Sequence, residues 1–123
     1  MADINRVLGV RDDGSKSFTM SNGAAEQTAV AGQDELYCLL VENSDTNTAG
    51  VIIKAGDGIR SSIGDLLVKV AQNEKKIINL DSSRFKMLSG DNAGKFVIQI
   101  KNEAGTGAFG GTITNVKLAA IQL

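Results

Sequence analysis

Leu36-Tyr37-Cys38-Leu39-Leu40-Val41-Glu42-Asn43 is a run of strand-forming residues, followed by Ser44-Asp45-Thr46-Asn47-Thr48-Ala49-Gly50 and then by Val51-Ile52-Ile53-Lys54-Ala55. Branched and aromatic side chains suit a pleated, half-buried surface, whereas Asn, Asp, Thr and Gly favour turns through local hydrogen bonds or permissive backbones. Two apolar runs around such a loop predict a β-hairpin, with strands over Glu35–Glu42 and Val51–Ala55. The first strand is apolar on both faces, with Leu36, Cys38 and Leu40 on one and Tyr37, Leu39 and Val41 on the other. A strand of that kind is expected inside a sandwich or at a subunit contact.

Working outward, Asp65–Ala71 and Lys76–Leu80 read as strands about the polar turn Gln72–Lys75. Over Ser83–Leu88, Phe85 and Met87 alternate with Arg84 and Lys86, which favours a strand over a short helix. Ser89–Gly94 is a strong turn, and Lys95–Lys101 alternates with Phe96, Ile98 and Ile100 inward. Asn102–Gly111 holds four glycines and predicts a flexible loop, long for a hairpin. In Thr112–Leu123, Val116, Leu118 and Ala120 share a face, while Ile121 and Leu123 fall out of phase; this predicts a bulge near Ala119–Ala120. Upstream, Ser17–Met20 reads as a short strand ended by the turn Ser21–Gly23, and Gln27–Ala31 as another. Val7–Val10 is a strand or part of an arm, and Arg11–Lys16 is a turn centred on Asp-Gly. Many short strands with frequent turn signals and no helical period predict an all-β chain. The expected fold is an antiparallel β-sandwich or jelly-roll-like small barrel, with an extended N-terminal arm over residues 1–16 and one domain over 17–123.

The composition narrows the chemistry. The 123 residues contain no His, one Cys, no Trp and no Pro, and 13 basic residues stand against 14 acidic ones. Without His, the Ser-His and Cys-His triads and His-based zinc sites are excluded. No basic stretch exceeds Lys75-Lys76, so neither nucleic acid nor a membrane surface finds an electrostatic footprint. Cys38 sits in an apolar run and reads as an inert thiol. Met1–Arg6 lacks an apolar signal core and no 18-residue apolar span occurs, so the chain is expected in a cytosol-like compartment.

The candidate sites are thin. Asp45-Thr46-Asn47-Thr48-Ala49-Gly50 begins like a calcium loop, but Ala49 replaces an oxygen ligand and Gly56 stands where a bidentate Glu is needed. Gly56-Asp57-Gly58 lacks the remaining parts of a phosphate loop, and Asp57 with Asp65 lacks the aromatic platform of a sugar site. No catalytic residue, metal ligand or cofactor is assigned. Arg60 and Arg84 are lone arginines that suit forked contacts to carboxylates at an interface, against the plain alternative of a solvated charge. The candidate interface residues are Leu36, Tyr37, Asn43, Asp45, Asn47, Asp57, Arg60 and Arg84.

Val41-Glu42-Asn43-Ser44-Asp45, Val51-Ile52-Ile53-Lys54-Ala55-Gly56-Asp57, Arg60, Gly64-Asp65-Leu66-Leu67-Val68-Lys69-Val70-Ala71 and Ser82-Ser83-Arg84-Phe85 occur in that order. Together they resemble small virion proteins of tailed bacteriophages and prophages, whose pattern reads V-E-N-T-D, T-I-K-A-G-D, R, G-D-L-V-V and S-A-R-F. Ser44 stands for the family's Thr and Ser83 for its Ala, and the resemblance spans residues 40–87, leaving the N-terminal third and the Gly-rich loop outside it. The resemblance implies a non-enzymatic capsid decoration or cement protein on the outside of the head, made in the bacterial cytoplasm. It also implies the major capsid protein as partner and homotrimers at local three-fold positions, with no nucleic acid and no membrane. A tail, baseplate or neck component is the alternative. The arm, Asn43–Gly50 and Gly56–Ser62 are the expected capsid contacts, and Leu36–Val41 a seam between copies.

Overall fold

The computed structural model describes residues 2–4, 6–8, 14–32 and 36–122. The expected strand end at Glu35, the last residue Leu123, Gly9 and Val10 of the expected strand or arm, and Arg11–Asp13 of the expected turn lie outside the described residues.

Among the described residues, ten strands form two mixed sheets that pack face to face without closing into a barrel. They are β1 (Ala2–Ile4), β2 (Arg6–Leu8), β3 (Ser21–Asn22), β4 (Glu26–Val30) and β5 (Tyr37–Asn43). β6 (Ala49–Ile53), β7 (Leu66–Val70), β8 (Glu74–Asn79), β9 (Lys95–Lys101) and β10 (Val116–Gln122) complete the set. The first sheet has the order β1-β4-β9-β6-β7, and the second β2-β10-β5-β8, with β3 pairing β10. The all-β sandwich expected from the strand pattern is therefore the fold.

The core lies between the sheets. Tyr37, Leu39 and Val41 of β5 meet Val51 and Ile53 of β6, Phe96, Ile98 and Ile100 of β9, and Val116, Leu118 and Ala120 of β10. Aromatics are few, so one pair fills the thickest part. The rings of Tyr37 and Phe96 lie 5.6 Å apart at 46°, a tilted arrangement that suits aromatic quadrupoles. The Tyr37 hydroxyl donates to the Val30 carbonyl at 2.8 Å, and burial pushes its pKa up to about 12.

The central hairpin does not form. β5 pairs with β8 and β10 in one sheet, while β6 pairs with β7 and β9 in the other. Residues 44–48 are thus an arch that carries the chain across the sandwich. The physical reason is that both runs carry a row of core residues. Facing sheets let those two rows meet, whereas a hairpin would set them side by side in one sheet. β6 is buried along its whole length, because the loop over residues 102–111 folds across the outer face of its sheet. Gly50 has the Asn102 carbonyl against it and Gly105 lies on Ile52 and Leu67; a Cβ on Gly50 would overlap that carbonyl.

Four further expectations are corrected. Ser82–Phe85 is one helical turn, α1, rather than part of a strand. The Asp81 carboxylate caps it, accepting from the Ser83 N–H at 2.9 Å and the Ser83 hydroxyl at 2.8 Å. This local capping outweighs the weak alternation. β10 pairs β5 without interruption from Val116↔Asn43 to Gln122↔Tyr37, so no bulge occurs there. Gln122 is buried among polar partners, which is what broke the apolar phase. Residues 17–20 carry no strand; the short pairing falls instead on Ser21–Asn22, against Leu118 and Lys117. Finally, the N-terminal stretch is woven into the body: β1 pairs β4 and β2 pairs β10, both in parallel. Ile4 enters the core, and Asp3 faces Lys95 at 2.8 Å and the Thr28 hydroxyl.

Candidate functional site

The expected contact residues separate to opposite ends of the sandwich. β6 joins the two loops, so the arch before Ala49 and the loop after Ile53 emerge at its opposite ends. One flat partner surface cannot engage both the Asn43–Gly50 and Gly56–Ser62 loops.

At the arch end the polar side chains are turned inward. Asn43 is buried; its amide donates to the Asn47 carbonyl at 2.8 Å and to the Val70 carbonyl at 2.9 Å, and its Oδ1 accepts from the Asp45 N–H. Asp45, 7% exposed, accepts at Oδ1 from the Asn47 N–H and Nδ2, both at 2.9 Å. Its Oδ2 accepts from the Thr112 N–H at 2.9 Å and Asn115 Nδ2 at 3.1 Å. The Asn47 backbone and side-chain donors, then Thr112, hold this carboxyl far below the ordinary range against the opposing effect of desolvation. N–H donors occupy both oxygens, so Asp45 works as a four-point pin between the arch and the segment before β10. Gly111 abuts that carboxylate, and a Cβ there would overlap Oδ1. Asn47 is itself exposed.

Beside the pin an open groove of about 280 Å³ is lined by Glu42, Asn43, Ser44, Asn73, Glu74 and Lys75. Glu42 and Lys75 pair across it at 3.8 Å. Every residue that lines it is of a polar type and it stands open to solvent, unlike the enclosed apolar pockets that hold small ligands. Among the described residues no group of three or more His, Cys, Asp or Glu could hold a metal ion, and no helix is long and apolar enough to cross a membrane.

At the far end the two arginines and Asp57 come together around α1, each engaged by its own chain. Arg84 Nε donates to the Gly64 carbonyl at 3.0 Å and Nη2 to the Asp65 carbonyl at 3.2 Å, with the guanidinium 4.6 Å over the Phe85 ring. Arg60 pairs with Asp81 at 2.5 Å. Asp81 sits below the usual carboxylate range chiefly because the Ser83 hydroxyl and N–H bind it. Burial opposes the charge on Asp65, but the Lys54 ammonium at 2.7 Å and the Ala55 N–H at 2.6 Å overcome it and lower its pKa. Asp57 accepts from the Leu88 N–H at 3.2 Å. Backbone bonds Gly56 N–H to Arg84 O, Asp57 N–H to Lys86 O and Arg60 N–H to Ser83 O then fix the 56–60 loop onto the helical turn.

That clamped end presents apolar side chains to solvent. Ile59 is 93% exposed, and Ile63 and Leu88 stand on adjoining loops with more than half of their surface free. Leu8, Val30 and Leu36 lie at the same end, at the termini of β2, β4 and β5, so six of the nine exposed large hydrophobics of the described residues gather there. Leu36 is thus surface, whereas Tyr37 is core. Sequence reading passed over Ile59, Ile63 and Leu88. The available signal was two isoleucines inside a polar loop, Ile59-Arg60-Ser61-Ser62-Ile63, where no strand could bury them.

Comparison with family models, curated proteins and solved structures finds no match to this chain.

Proposed function

We propose that the protein decorates the outer surface of a bacteriophage head and cements the shell through protein–protein contacts, with the major capsid protein as partner. The observation that carries a contact function is the apolar end: Ile59, Ile63 and Leu88 held outward on loops bound to α1. Several large apolar side chains exposed at one end of the body, on loops tied to it by backbone hydrogen bonds, suit burial against another macromolecule. The order of motifs across residues 40–87 supplies the phage context. Each copy contributes a modest contact, and the symmetry of a shell multiplies it.

The test mixes purified protein with heads lacking it, then images the particles and follows thermal release of DNA. Symmetric density on the outer shell and release at higher temperature are expected, and Ile59→Asp should abolish both while leaving the fold intact. Bare shells with unchanged release would overturn the reading, and density confined to tails or necks would replace it with a tail-component role.

A further inference from the structure

The outer face of the second sheet carries its own pattern. Core residues Tyr37, Leu39 and Val41 alternate with Cys38, Leu40 and Glu42 on β5, and Val116, Leu118 and Ala120 alternate with Lys117, Ala119 and Ile121 on β10. Register places Lys117 beside Glu42, Ala119 beside Leu40 and Ile121 beside Cys38. The next strand outward adds Ile77, 71% exposed, beside Leu40. An apolar band therefore crosses the sheet where a one-sided antiparallel sheet would be polar.

We infer that this face pairs with the same face of a second copy of the chain about a two-fold axis. An axis parallel to the strands, midway between β5 and β10, lays β10 of each copy on β5 of the other. That operation sets each Lys117 opposite the other copy's Glu42 and each Ile121 opposite Cys38, with Leu40 over Ala119, which is only 2% exposed within its own chain. The face is thus complementary to itself in charge and in apolarity, as an isologous contact requires. Among the described residues Lys117 donates to the Asn22 amide oxygen at 2.5 Å and Glu42 pairs with Lys75 at 3.8 Å, and both charges have capacity for a further partner. Four strands at ~4.8 Å spacing and about seven residues in length span on the order of 400 Å² in projection. A standard interface buries ~800 Å² per partner, so the pair is expected to dissociate on dilution. The inference concerns the sheet face and stands apart from shell binding by the Ile59 end.

Sedimentation of the full chain over a wide concentration range tests it. The wild type should pass from monomer to dimer as concentration rises. Glu42→Lys and Lys117→Glu each place like charges across the axis and should weaken self-pairing by about tenfold or more. An equimolar mixture of the two variants should restore dimers containing one copy of each, which also shows that both are folded. A wild type that stays monomeric throughout, a discrete trimer, or single variants that pair as well as the wild type would overturn the inference.

Discussion

Asp45 shows how one side chain decides a connection. Its carboxylate joins residues 45–47 to residues 112–115, so the arch and the entry to β10 hold each other. Its pKa is depressed in the folded chain, and the sign follows from linkage. The stabilisation is fully present above the unfolded value, about 3.9, and is lost as pH falls from there through the lower folded value. Thermal unfolding from pH 7 down to pH 2 should show Tm falling below about pH 4. Asp45→Asn, whose amide would oppose the Thr112 and Asn47 donors, should lower Tm at neutral pH and flatten that acid slope. Tyr37→Phe leaves the Val30 carbonyl without its buried donor and should cost about 1–2 kcal/mol in denaturant unfolding, while Phe96→Ala, which empties the ring's place beside Tyr37, should cost ~3–5 kcal/mol.

The N-terminal strands make the sharpest point among the elements. β1 and β2 are three residues each, too short to stand alone, yet they cover β4 in one sheet and β10 in the other. Removing residues 2–8 should expose both edges and produce a lower Tm with aggregation on heating, measured by light scattering. A freely hanging arm would leave both unchanged. The helical turn α1 plays the matching part at the opposite connection, since its carbonyls receive the 56–60 loop. One residue before it, Asp81 both caps that turn and pairs with Arg60.

Across the whole molecule, polar and apolar work are divided between the ends. The arch end turns Asn43 and Asp45 inward and stays polar outside, whereas the α1 end exposes Ile59, Ile63 and Leu88. Ile59→Asp should leave Tm nearly unchanged, since an exposed substitution stays within about 0.5 kcal/mol, and should remove binding to shells. Equal loss of stability and binding would instead mark Ile59 as structural.

The all-β class, strands β5 to β10 and the core rows of β5, β9 and β10 were legible in the chain, because period-two alternation and turn residues are local properties. Ile59 and Ile63, branched side chains inside a polar loop, carried a local signal that the strand pattern passes over. Which strands pair, and which faces remain open, was settled only in three dimensions. Leu36-to-Asn43 and Ala49-to-Ile53 look alike as hairpin arms or as the two sides of an arch, since the local pattern is the same in both. The choice rests on partners from 27 to 70 residues away, Val70, Thr112 and Asn115. Those same distant contacts turned Asp45 from a surface candidate into a pin, and the separate bonds of the 56–60 loop to α1 and of Asp57 to Leu88 hold Ile59 and Leu88 at the other end, because burial depends on what the fold lays over a residue.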